Sequence, residues 1–182
     1  IFTSSFISMR KSNQKSKNTE VKNTVWDYAP APESTDHIDI KPQYELFING
    51  KFVKPHSKKY FDTINPASEK IISRVAQANA KDIDTAVKAA KKAYDTVWSK
   101  MQGAERGKYI YRIARLMQER ARELAVVETI NGGKSIRESR DIDIPLAANH
   151  FFYYAGWADK LEYAFPNRKP QPLGVAGQII PW

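Results

Sequence analysis

Side chains able to do covalent or metal chemistry are few in this sequence, and their spacing narrows the choice further. There is no cysteine, which removes thiolate nucleophiles, thiolate metal sites and disulfides together. The three histidines, His37, His56 and His150, are far apart, and none has a carboxylate or second ligand at coordinating spacing, so no metal site is expected. Two glycine-bearing stretches invite comparison with phosphate cradles. Gly132-Gly133-Lys134 follows a long helical pattern and reads better as a helix stop. Gly174-Val-Ala-Gly177 lacks the following helix or basic flank that a phosphate or RNA clamp needs. What remains is Pro172 to Trp182, whose apolar run with two glycines ends in Pro181-Trp182. That is the pattern of a buried strand entering a binding loop.

A strand of this kind needs neighbours. With no turn, helix or polar tail behind it, one face and one edge are left unpaired, so more polypeptide is expected to follow. Composition permits a single sizeable core: 182 residues, 42% hydrophobic and 12% aromatic. No run approaches the roughly 18 apolar residues of a membrane span, so no membrane partner is expected. The formal net charge of +9 points at first to nucleic acid or an anionic surface. Its distribution argues otherwise. Arg10, Lys11, Lys15, Lys17 and Lys22 against Glu20 place about +4 in the first 25 residues. The rest is mixed charge at helical spacing (Lys88, Lys91, Lys92, Arg115, Glu119, Arg120, Arg122, Glu123), the usual pattern of a solvated helix face. No nucleic-acid partner is expected.

In chain order, residues 1 to about 25 are Ser-, Lys-, Asn- and Thr-rich with little to bury, and are expected to be disordered. The chain begins with Ile1, so Met9 as a true start, a missing beginning and a targeting peptide are the alternatives there. Trp26 to Pro42 reads as an extended arm carrying Trp26 and Tyr28. Tyr44 to Ile48 and Lys51 to Val53 flank Asn49-Gly50, the pair best suited to a two-residue hairpin turn. Phe61 to Asn65 and Ile71 to Ala78 form a second strand pair around Asn65-Pro66-Ala67-Ser68. Asp82 is expected to cap a helix with apolar positions Ile83, Ala86, Val87, Ala90, Tyr94 and Val97. One long helix is expected from about Ala104 to Ile130, stopped by Asn131-Gly132-Gly133. Ser135 and Glu138 suit a capping box, and Pro145 calls for a kink or a fresh start with Asp143 near the cap. From Leu146 to about Lys160 the chain is apolar almost all round, which implies a helix buried on most sides. Pro166, Pro170 and Pro172 then permit an edge strand or arm but no central strand.

Three segments in this order resemble the aldehyde dehydrogenase superfamily: Leu46-Phe-Ile-Asn-Gly-Lys-Phe-Val53 with Asn65-Pro-Ala67, then Tyr153-Tyr-Ala-Gly-Trp-Ala-Asp-Lys160, then Gly174-Val-Ala-Gly-Gln-Ile-Ile-Pro-Trp182. The resemblance covers roughly Tyr44 to Trp182. It implies an α/β fold of which this chain holds an incomplete part. Residues 1–43 would be a basic tail and extended arm, 44–159 the hairpins and helices that open a dinucleotide-binding domain, 160–173 a strand or arm for oligomerisation, and 174–182 the first central strand of the dinucleotide-binding sheet. Ile179, Ile180, Pro181 and Trp182 would line the cleft for NAD, with NADP as the alternative, consistent with ligands lying beyond the carboxyl ends of strands in open α/β sheets. Leu146, His150 and Phe151 would flank the substrate channel, with core packing the plainer role for Phe151 and a structural one for His150.

The family reaction oxidises an aldehyde to a carboxylic acid: a cysteine thiolate attacks the carbonyl, hydride passes to the nicotinamide, and a glutamate activates the hydrolytic water. An asparagine directly after the Pro-Trp pair contributes to the oxyanion hole. None of these residues is in the chain, so no residue present is assigned a catalytic role and the isolated chain is expected to be inactive. The complete protein would act on a small aldehyde, assemble as a homo-oligomer and be cytoplasmic, with mitochondria as the alternative. A different class of function also fits the sequence: a non-catalytic binding or assembly module related to these enzymes. Reading the coding sequence beyond Trp182 separates the two.

Overall fold

The computed structural model describes residues 35, 36 and 38–180. The chain falls into two units, Ile1–Pro32 and Glu33–Trp182, and all described residues belong to the second. The expected tail and the aromatic arm positions Trp26 and Tyr28 lie outside the described residues, as do His37, Pro181 and Trp182.

Five short strands come first. β1 (Gln43–Tyr44) pairs in parallel with β5 (Ile71–Ala76), which pairs antiparallel with β4 (Tyr60–Ile64), giving the order β1-β5-β4. β2 (Leu46–Ile48) and β3 (Lys51–Val53) form a separate hairpin in the register Leu46↔Val53, Phe47↔Phe52, Ile48↔Lys51. Asn49 and Gly50 sit at φ 53° and 75°, the left-handed pair a two-residue turn requires. Tyr44 departs from the expected hairpin strand. It pairs with Val75 instead, and the intervening Glu45 turns to accept a 2.8 Å hydrogen bond from the Tyr60 hydroxyl.

The helices follow. α1 (Ala80–Thr96) starts in a capping box whose N-cap is Asn79 rather than the expected Asp82. The Asn79 side chain accepts from the amides of Lys81 and Asp82, and the Asp82 carboxylate answers by accepting from Asn79 N at 2.9 Å. Asp82 also accepts from His56 N at 3.0 Å, tying the loop before β4 to this helix start. These two backbone donors, Asn79 foremost, hold its carboxyl below the ordinary carboxylate range.

The long helix expected over 104–130 is two helices, α2 (Gly103–Glu119) and α3 (Ala121–Gly132), broken at Arg120 (φ −107°, ψ 19°). No glycine or proline marks the break. Arg120 holds it by offering its carbonyl to Leu124 N at 3.0 Å and its guanidinium to Glu123 at 2.6 and 2.8 Å. α3 ends at Gly133, φ 74°, as expected for a glycine stop. A Cβ there would lie 2.7 Å from Pro66 Cγ, so the Asn65-Pro66 turn and the helix end meet too closely for any side chain.

Beyond Gly133 the expected capping box is not formed. The Ser135 hydroxyl makes no cap hydrogen bond, and the Glu138 carboxylate lies instead 3.8 Å from Lys134 Nζ. A short α4 (Ile136–Glu138) leads through a π-helical turn, Ser139–Asp143, into α5 (Ile144–Trp157). Asp143 stays in the right-handed helical region (φ −65°, ψ −53°), so there is no fresh start at Pro145. The wider π turn accommodates the proline, which has no amide to donate and crowds the carbonyl four residues earlier.

α2 and α5 pack against each other through small residues. Ala114 and Ala148 are buried, as is Ala155. A Cβ on Gly107 would come within 2.9 Å of the Ala155 carbonyl oxygen, and one on Gly103 within 2.3 Å of that of Ala158. Between these positions, Tyr111 and Phe152 meet edge to face at 4.9 Å. Ser139, fully buried in the π turn, accepts a 3.1 Å hydrogen bond from the Thr129 hydroxyl of α3. α5 is nevertheless not buried on most sides: Leu146, Tyr153, Tyr154 and Trp157 are exposed, because among the described residues only one of its faces meets other helices.

After the short α6 (Leu161–Ala164), residues 165–180 form no strand. The strand or arm expected at 160–173 contains this short helix, and the described part of 174–182, expected as a central strand, pairs with no described segment. Strands exist through ladder partners, and no described segment lies alongside to supply them.

Candidate functional site

Leu146, His150 and Phe151 all lie on α5, but not on one line. Successive residues of an α-helix advance by about 100°, so Leu146 and His150 lie one turn apart on the side opposite Ala148 and Ala155. Phe151 sits on the flank between that side and the buried one. Leu146 is 52% exposed and Phe151 39% exposed; His150 is exposed too. The stripe of Leu146 and His150 continues through Tyr153 and Trp157, at spacings of four, three and four residues. Tyr153 meets Trp157 at 6.2 Å and Tyr154 at 5.2 Å between ring centroids, both edge to face. Sequence reading assigned these aromatics to core packing, although the spacing itself marks the shared stripe.

The entry to this helix is fixed electrostatically. Lys134 pairs with Asp143, and with Glu138 more distantly, so the hydrogen bond to the Asp143 carboxylate raises the lysine above its ordinary range. The Gly132-Gly133-Lys134 run thus serves as helix stop and ion-pair donor.

The second candidate region is the segment behind α6. Tyr94, on α1, donates a 2.7 Å hydrogen bond to the carbonyl of Pro172. Gly174 beside it adopts φ 113°, a conformation L side chains rarely take. Trp98, Arg106, Ile110, Ala158 and Leu161 line a cavity with Pro170 to Gly174 at this point. Farther along, Ile179 is 98% exposed and Ile180 78% exposed. These two apolar side chains, with no element facing them, do not by themselves hold a dinucleotide; Pro181 and Trp182 lie outside the described residues. Among the described residues, Leu146, His150 and Phe151 lie on α5, and Ile179 and Ile180 lie on the segment behind α6.

Among the described residues no cluster of three or more histidines and carboxylates is arranged to hold a metal ion. No described helix is long and apolar enough to cross a membrane.

Comparison with known proteins gives a coherent relationship. An aldehyde dehydrogenase of Alternaria alternata is 42% identical over 145 residues, 75% of this chain and 29% of that protein. The mitochondrial benzaldehyde dehydrogenase of Antirrhinum majus is 39% identical over 172 residues, 87% of this chain and 32% of that one. The solved NAD+ complex of the Bacillus cereus aldehyde dehydrogenase matches with a TM-score of 0.62 at 40% identity, over 66% of this chain and 26% of the enzyme. The mixed α/β structure thus corresponds to a part of these enzymes, and the chain spans about three tenths of the length of these two curated relatives. Residues 52–182 match the aldehyde dehydrogenase family, and the chain belongs to that family.

Proposed function

We propose that this chain is the amino-terminal portion of an enzyme that oxidises an aldehyde to a carboxylic acid with NAD or NADP. The observation that carries the reading is the family match over residues 52–182 in a chain with no cysteine. The match supports the activity of the complete protein; the missing nucleophile supports inactivity of this part alone.

In the complete protein, residues 44–159 open the cofactor-binding domain, 160–173 form the oligomerisation arm, and 174–182 become the first central strand once neighbouring strands supply its ladder. Ile179, Ile180, Pro181 and Trp182 then line the cofactor cleft. Leu146, His150 and Phe151 flank the substrate channel, an assignment favoured for Leu146 and His150 by the outward direction of the α5 stripe. The nicotinamide, when bound, accepts hydride; this chain contributes apolar walls and provides neither nucleophile nor general base. The complete enzyme is a homo-oligomer, cytoplasmic with mitochondria as the alternative.

The test replaces the matching segment of the Bacillus cereus enzyme with residues 44–182 of this chain. The chimera is expected to oxidise aldehydes with NAD. Within it, Trp182→Ala should raise KM for NAD more than KM for aldehyde, and His150→Ala should do the reverse. A soluble, cooperatively folded chimera without NAD-dependent activity would overturn the proposal.

A further inference from the structure

Residues 169–180 have no sheet to direct them, yet they do not leave the helices at random. Among the described residues, the hydrogen bond joining them to the rest of the chain is the one from Tyr94 on α1 to the Pro172 carbonyl, at 2.7 Å and across 78 residues of sequence. Two further features act at the same place. Gly174 stands at φ 113°, with its missing Cβ 4.0 Å from the Tyr94 ring, so the constraint there is backbone conformation rather than space. The apolar and cationic cavity wall of Trp98, Arg106, Ile110 and Leu161 receives Pro170 to Gly174 from the other side.

We propose that Tyr94 is a positioning residue: its hydroxyl and ring clamp Pro172 to Gly174, so that the segment carrying Ile179 and Ile180 departs from the helical layer in one direction. The clamp sits five residues before Ile179, close enough to set the direction of the segment and too far to touch a ligand of the cleft. Tyr94→Phe removes one hydrogen bond and leaves the ring, which raises the fraction of released segments roughly fivefold. The consequence for catalysis rests on the functional reading above. In the complete enzyme Tyr94→Phe should raise KM for NAD while leaving kcat and KM for aldehyde unchanged, a split that general destabilisation would not produce.

The cysteine-free sequence makes the clamp directly measurable. Nitroxide labels on Lys88→Cys of α1 and Gln178→Cys of the segment report the distance distribution between them in the full chain by pulsed electron resonance. A narrow distribution is expected with Tyr94 present, and a broad one with Tyr94→Phe or Gly174→Ala, at an unchanged urea midpoint for Tyr94→Phe. A distribution already broad with Tyr94 present, or unchanged by Tyr94→Phe, would overturn the proposal. The same substitution in the Bacillus cereus chimera gives the kinetic readout. A chimera inactive with Tyr94 intact would count against the enzymatic reading, and the distance measurement would still decide the clamp.

Discussion

The contact between α2 and α5 and the segment that follows α6 are both rich in small and apolar residues, yet one is closed and the other open. Between the helices, Gly103, Gly107 and Ala114 meet Ala148, Ala155 and Ala158 so closely that two of the glycines have no room for a Cβ. Helices satisfy their own backbone hydrogen bonds, so this pair needs only a complementary face and finds it within the chain. The segment carrying Val175, Ile179 and Ile180 is also apolar but forms neither helix nor strand, and backbone outside a helix needs partners from elsewhere for its amides and carbonyls. The difference shows that apolar character alone does not make a core. What decides is whether the partner required by the local geometry is present.

If the closed region rests on close approach, overpacking it should produce the largest effect. Gly107→Leu drives a side chain into the Ala155 carbonyl and is expected to cost about 3 kcal/mol, read as a lowered urea midpoint. A midpoint within error of the parent chain would show that the helices can separate freely. Gly133→Ala comes next, because it combines left-handed backbone with the Pro66 contact; roughly 1–2 kcal/mol is expected from the backbone alone.

Asp82 tests the link between strands and helices through pH. Its carboxyl is held below the ordinary range by backbone donors, so the folded state binds fewer protons than the unfolded one as pH falls. Its stabilisation is complete above the ordinary carboxylate range of about pH 4 and is lost as pH drops through the folded value. Thermal midpoints should therefore fall more steeply with acid in the parent chain than in Asp82→Asn, and parallel curves would remove Asp82 from the account of acid sensitivity. The smallest effect belongs to the open region: Ile179→Ser should change stability by less than about 0.5 kcal/mol in this chain. A larger loss would mean that the segment is packed after all.

Legibility in the sequence divides along the same line. The Asn49-Gly50 turn, the two strand pairs and the Gly133 stop could be read because each depends on local backbone chemistry. The break at Arg120 could not, since it involves no glycine or proline and is held by a pair with Glu123 and a carbonyl hydrogen bond. Asn79 was missed as N-cap because Asp82, the reciprocal half of the same box, is also a good capping residue. The π turn before Pro145 leaves no periodic signal in so short a stretch. Of the candidate site, the α5 stripe was written in the spacing of Leu146, His150, Tyr153 and Trp157. The Tyr94 contact with Pro172 was invisible, because nothing local joins residues so distant in sequence.

The most direct measurement is cofactor reduction by the purified chain itself, followed through nicotinamide absorbance with NAD and simple aldehydes in a preparation free of host dehydrogenases. A chain that matches the family over residues 52–182 but has no cysteine should produce no NADH above background. Sustained aldehyde-dependent NADH formation by this chain would contradict the proposal that it is catalytically incomplete by itself.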